Sequence, residues 1–175
     1  MRKVLKLLAA PKFAWSIVAL LVAGGILGYW FVSQPTSNLP ESVRSSLDFT
    51  PLIVDQKNKD YSTNDYKSST AEDNVKILSY IIKTPTGPVS VSQYVQPPAF
   101  TDIPEYKDRF LDNIIKRYAS VQTAGGTIYL GRASKQNNKQ LGVMLERGLI
   151  VFFSPDIELS ETDWRKLGDQ MIVSR

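Results

Sequence analysis

The chain has 175 residues, 43% of them hydrophobic and 22% charged, an ordinary composition for one globular domain with tails. It contains no cysteine and no histidine. Those absences exclude a disulfide scaffold, a thiol nucleophile, a Cys/His zinc site and any histidine-based triad or general base. The formal net charge is +4, and where that charge sits decides what it means.

Residues 1–12 hold Arg2, Lys3, Lys6 and Lys12 and no acid. Residues 13–32 carry no charge, and Ser16 is their one conventionally polar side chain. At about 1.5 Å per residue that run makes a helix of roughly 30 Å, the thickness of a bilayer's hydrocarbon core. Trp15 sits near one end and Tyr29 and Trp30 near the other, the aromatic-belt pattern of a spanning helix. The positive-inside rule predicts a cytoplasmic basic tail (1–12), a transmembrane signal-anchor (13–32) and a C-terminal domain outside the cytoplasmic membrane. The apolar run is longer than a signal-peptide core, and no Ala-x-Ala site follows it, so it is read as uncleaved. Gly24 and Gly28 form a Gly-x-x-x-Gly spacing that lets two helix backbones approach closely, a candidate homodimer contact. The tail accounts for the whole net charge, because the rest of the chain holds 17 basic and 17 acidic residues. No basic stripe remains, so nucleic acid is not an expected partner.

Residues 33–46, rich in Ser, Pro and Asn, read as a stalk. The extracytoplasmic domain is assigned to 47–175. Its first strand falls in 47–55, with Pro51 delaying its start or placing it at an edge. Residues 56–74 are nearly free of aliphatics and read as a mobile polar loop. Strands are predicted at 75–83 and 89–96, where Val89, Val91 and Val95 share a face opposite Ser90, Ser92 and Gln96. A helix is predicted over 102–118, capped by Asp102 with Glu105, with Pro104 in its first turn. Its apolar stripe would be Tyr106, Phe110, Ile114 and Tyr118. Strands follow at 120–123, 127–132, 140–146 and 149–154, with a tight turn at Arg147-Gly148. The most hydrophobic, Leu149 to Phe153, is placed centrally. A closing helix over 161–173 would be capped by Ser160 and Asp163 and present Trp164, Leu167 and Met171 on one face. The whole is an α+β domain, a curved antiparallel sheet with two helices packed on one face.

The remaining catalytic routes use carboxylates, a Ser–Lys pair or a metal on oxygen ligands. Glu158, Glu161 and Asp163 cluster before and within the last helix, where acids also belong for meeting the helix dipole. Asp55, Asp60 and Asp65 lack the spacing of a calcium loop. A Ser–Lys pair, formed only in space, leaves no trace in sequence. No nucleophile elbow, phosphate-binding loop or dinucleotide fingerprint is present. Tyr61 and Tyr66, in the polar stretch, are read as packing back on the nearest strand, and Tyr80, Tyr94 and Tyr129 as cross-strand packing. No catalytic residue, cofactor or metal is expected.

The segment Gly125-Gly126-Thr127-Ile128-Tyr129-Leu130-Gly131, the strand Leu149-Ile150-Val151-Phe152-Phe153-Ser154-Pro155 and the helix start Ser160-Glu161-Thr162-Asp163-Trp164 resemble extracytoplasmic domains of single-pass bacterial membrane proteins and lipoproteins, including sporulation- and anti-sigma-associated ones. Their curved sheets are similar to those of lipoprotein-carrier domains. The resemblance covers roughly residues 75–175 and implies no catalytic site. The missing lipoprotein cysteine and the polar 56–74 stretch depart from the lipoprotein variants. The expectation is a non-enzymatic binding or interaction module of the cell envelope, anchored in the bilayer and taking a lipid, a peptide or an envelope protein. The alternatives are an envelope hydrolase using carboxylates or a Ser–Lys pair, and a structural subunit of a membrane complex.

Overall fold

The computed structural model of the chain describes residues 39–134 and 138–174. All belong to the unit that runs from Pro35 to Arg175. The predicted basic tail and transmembrane helix, with Trp15, Tyr29, Trp30 and the Gly24/Gly28 contact, lie outside the described residues. Among the described residues, no helix is long and apolar enough to cross a membrane.

The fold is mixed α+β, with a large antiparallel sheet and few helices. Its strands are β1 (Leu52–Val54), β2 (Ser62–Thr70), β3 (Lys76–Lys83), β4 (Pro88–Val95), β5 (Ile115–Thr123), β6 (Gly126–Ala133), β7 (Gln140–Glu146), β8 (Leu149–Pro155) and β9 (Met171–Val173). Its helices are α1 (Glu41–Arg44), α2 (Ala99–Asp102), α3 (Tyr106–Ile114) and α4 (Glu161–Asp169). Seven strands form one sheet in the order β2-β3-β4-β8-β7-β6-β5, every pairing antiparallel. β8 takes the middle place, as its hydrophobicity predicts. β1 and β9 form a separate two-stranded pair, Leu52 opposite Val173 and Val54 opposite Met171. The Arg147-Gly148 turn between β7 and β8 has positive φ at both residues, 53° and 73°, the mirror-image turn that matches strand twist.

Both faces of the sheet bury apolar side chains. On the first, Leu78, Val91, Val151, Phe153 and Met144 pack with β1 and with Trp164 and Leu167 of α4. On the second, Val143, Leu145 and Ile150 pack under Leu111 of α3, with Phe100 and Phe110 alongside. The two main helices therefore cover opposite faces, not one face as predicted. Alternate residues of β8 explain this: Leu149, Val151 and Phe153 point one way, Ile150 and Phe152 the other, and both sets need cover.

Four further expectations are corrected. The stretch read as a 56–74 loop contains β2, paired to β3 from Ser62–Lys83 to Thr70–Lys76. An edge strand is held by its backbone ladder and tolerates polar side chains, so its composition hid it. The stalk assigned to 33–46 overlaps the domain: Leu39 is buried and α1 occupies 41–44. The helix predicted over 102–118 breaks into α2, α3 and the start of β5. Ile103 is extended (φ −123°, ψ 109°) because it precedes Pro104, which disfavours a helical predecessor. Glu105 occupies the N-cap position of α3 without a side-chain cap bond. Beyond Ile114 the long partner β6 draws Ile115–Thr123 into the sheet, leaving Tyr118 more than half exposed. The closing helix stops at Asp169, and Met171–Val173 joins β1 instead.

α4 begins as predicted. Ser160 Oγ accepts from the backbone of Asp163, and the Asp163 carboxylate accepts from the Ser160 N–H at 3.3 Å, a complete capping box. The outer edge of the Trp164 ring then packs closely against Gly142. A Cβ at Gly142 would stand 2.7 Å from Trp164 Cζ3, so only glycine admits this ring.

Candidate functional site

The acidic candidates are each engaged separately. Glu158 makes a two-pronged ion pair with Arg132, one prong Nη2 to Oε2 at 3.0 Å. That pairing holds the Glu158 carboxyl below its ordinary range and raises the guanidinium of Arg132. Glu161 pairs with Arg165 one helical turn on, at 3.1 Å. Asp163 serves the capping box. The three do not converge on a common pocket. Asp55 accepts from the Lys57 N–H at 3.0 Å, a local turn contact, and Asp65 sits at positive φ (55°) in an irregularity of β2. Among the described residues, no group of three or more acidic side chains could hold a metal ion.

The tyrosines pack inward. Tyr61 is buried, and Tyr66 stacks against Tyr80 with ring centroids 5.3 Å apart. Burial raises the phenol pKa of both Tyr61 and Tyr66, and raises that of Tyr80 well above its ordinary value. The Tyr80 hydroxyl donates to the Leu52 carbonyl at 2.8 Å. Tyr94 approaches Phe152, and Lys107 Nζ lies 5.2 Å from the Tyr129 ring centre.

Sequence reasoning missed two buried glutamines. Gln93 and Gln140 are 0% and 6% exposed. Gln140 accepts from the Leu159 N–H at 2.8 Å and donates to the Leu159 carbonyl at 3.0 Å, fixing the approach to α4. Gln93 does the same for β1. One signal was available: position 93 is in phase with the inward valines 89 and 91.

The part of the second face not under α3 is where side chains open to solvent. Ser79 of β3 lies opposite Ser92 of β4, and Ser90 lies opposite Ser154 of β8. With Ile81 and Phe152 they floor a shallow hollow of about 340 Å³, bordered by Lys67 and Asp65 of β2. The small hydroxyl side chains keep the floor low, and Phe152 walls it toward the helical half. Chemically the hollow offers hydroxyl donors and acceptors, one ammonium and one carboxylate beside an apolar wall. Lys67 lies directly across from Ser79 in the β2–β3 register, and both border this hollow. Among the described residues no hydrogen bond joins Lys67 Nζ to that serine, and Lys67 is exposed.

A second recess lies where β3 begins and β4 ends, about 490 Å³, with Val75, Tyr94, Val95 and Pro97 among its walls and Asp48 and Lys76 at its rim. The centre of the first face is covered by the β1–β9 pair and α4, and two recesses open at the rim of that cover, about 490 Å³ beside Leu149 and Val173 and about 320 Å³ beside Leu52 and Met171.

Comparison with protein-family models, with curated proteins and with solved structures gives no match.

Proposed function

We propose that this chain is a membrane-anchored interaction module of the cell envelope, its basic tail in the cytoplasm and residues 39–174 outside. It acts by binding a protein or peptide on its surface, without turnover. The observation that carries this reading is the filled first face. A carrier of acyl chains needs an apolar cavity, and the space where one would lie holds Trp164, Leu52, Val54 and Met171. What remains open is shallow and mixed in polarity, the character of a surface that meets another macromolecule. Six residues separate the end of the anchor at 32 from buried Leu39, a reach of at most about 25 Å, so a module so tethered works close to the bilayer.

The alternative, a Ser–Lys hydrolase, is supported by the Lys67–Ser79 register alone. The test has two arms. Fractionation and protease treatment of spheroplasts should find the full chain in the membrane pellet and residues 39–174 digested from outside. An intact chain after digestion overturns the topology. Incubation with a fluorophosphonate and with a β-lactam should leave every serine unlabelled. Labelling of Ser79 that Lys67→Ala abolishes would replace the binding reading with the hydrolase.

A further inference from the structure

The two edges of the seven-stranded sheet are treated unequally. The β2 edge is guarded. α1 packs against it, Ser46 Oγ bonds Ser68 Oγ at 2.6 Å, and the register shifts between Asn64 and Lys67 where Asp65 adopts positive φ. Its two charged residues, Asp65 and Lys67, also disfavour addition of another strand. The β5 edge has its two charges, Lys116 and Arg117, and its register shift at its start, and lacks such guards from Ala119 to Thr123. Residues 116–120 are all exposed, and among the described residues no further backbone hydrogen bond reaches residues 116–123 beyond the ladder with β6. From Tyr118 to Gly126 the chain has no charge. An uncharged strand with an open row of backbone donors and acceptors is a template for pairing.

We propose that a second copy of this chain pairs with the β5 edge, antiparallel, so that the two sheets become continuous. The charge pattern selects a copy of itself as the occupant. An antiparallel pair related by a twofold axis normal to the sheet must place some residue opposite itself, because paired residues share a face. With Ser120 opposite Ser120, Ala119 lies beside Val121 of the second copy and Tyr118 beside Gln122. Lys116 and Arg117 then fall at opposite ends of the pairing, clear of their counterparts. Arg117 is in addition neutralised by Asp108 and Asp112, at 3.0 and 2.7 Å. The irregularity between Arg117 and Ala119 ends the ladder on that side. Only a few residues per copy pair, well short of the roughly 1,200 Å² that a stable interface buries, so the contact is weak in free solution. Two copies held in one bilayer supply the missing concentration. The Gly24/Gly28 spacing in the apolar segment suits that same occupant on independent grounds.

The strength of the pairing thus rests on the anchored reading above, and the experiment separates the two. The chain has no cysteine, so any thiol introduced is its only one. Full-length Ser120→Cys, Gln122→Cys and Ser69→Cys variants are reconstituted into phosphatidylethanolamine/phosphatidylglycerol vesicles, floated, and oxidised with copper phenanthroline. All three sites are exposed, so folding is not at risk. The expected result is flotation of every variant, a covalent dimer for Ser120→Cys, a much weaker one for Gln122→Cys and none for Ser69→Cys. Flotation with a monomeric Ser120→Cys overturns the edge pairing, and so does equal cross-linking at all three sites. Failure to float overturns the anchored reading instead. The same oxidation in concentrated solution then decides the pairing, and a monomer there refutes it.

Discussion

The side-chain amide of Gln93 holds Leu52 by both of its backbone groups, accepting from the Leu52 N–H at 2.9 Å and donating to the Leu52 carbonyl at 2.7 Å. A glutamine on β4 thus supplies, inside the core, the pair of bonds a neighbouring strand would supply. It lets β1 lie across the first face, outside the main ladder, without stranding its polar groups. Gln93→Leu keeps the volume and removes both bonds, leaving the Leu52 N–H buried and unpaired. Urea unfolding should show a loss of about 2 kcal/mol, and Gln93→Glu should lose more.

Trp164 and Gly142 form one packing unit. Trp164→Ala should cost about 3–5 kcal/mol. Gly142→Ala should cost about 1–3 kcal/mol, because its methyl meets Cζ3 and Cη2 of the indole. Trp164→Phe deletes those two atoms, and also the buried indole N–H, which has no hydrogen-bond partner among the described residues. The double variant Gly142→Ala/Trp164→Phe should therefore be more stable than the sum of the two single changes predicts, a coupling readable in a double-mutant cycle.

The capping box makes a smaller contribution. Ser160→Ala should lower stability by about 1 kcal/mol, and Ser160→Asp should restore most of it. Equal losses for both would show that the hydroxyl has another duty.

Glu158 gives the domain an acid-side pH dependence. Its carboxyl is held below the ordinary value of 4.5 by the Arg132 guanidinium, so the native state binds fewer protons than the unfolded chain as pH falls through that range. The contribution is fully present above the ordinary glutamate range and disappears below the depressed native value. Glu158→Gln should shift the neutral-pH stability slightly. The difference from the parent should be flat from neutral pH down to that range and shrink at lower pH. Both groups are exposed, so raising the salt concentration should reduce the difference. A difference that grows on acidification would contradict the pairing.

Much of the second half was readable because its local signals agree with its tertiary role. The bounds of β7, the turn at Arg147-Gly148 and the cap at Ser160 all fall where spacing puts them. The misses have specific causes. β2 has buried Thr63 and half-buried Tyr66 facing the core, but the shift at Asp65 puts them three apart, which erases the period of two. Tyr118 extends the Tyr106–Ile114 stripe only by coincidence of spacing, while Ile115 and Val121, buried on β5, carry the strand signal that the helix pattern masked. The serine hollow could not be seen either, because it exists only once β3, β4 and β8 lie side by side.

β1 and β9 run in opposite directions, so the start of one lies beside the end of the other. Leu52 faces Val173, and the Ser174 N–H donates to the Pro51 carbonyl at 2.9 Å. Tension applied between Pro51 and Ser174 would open this clasp rung by rung, as a zipper, and the seven-stranded sheet would bear no load until it had parted. A fusion partner joined after residue 175 would pull on that seam, whereas one inserted between β6 and β7 would leave it closed.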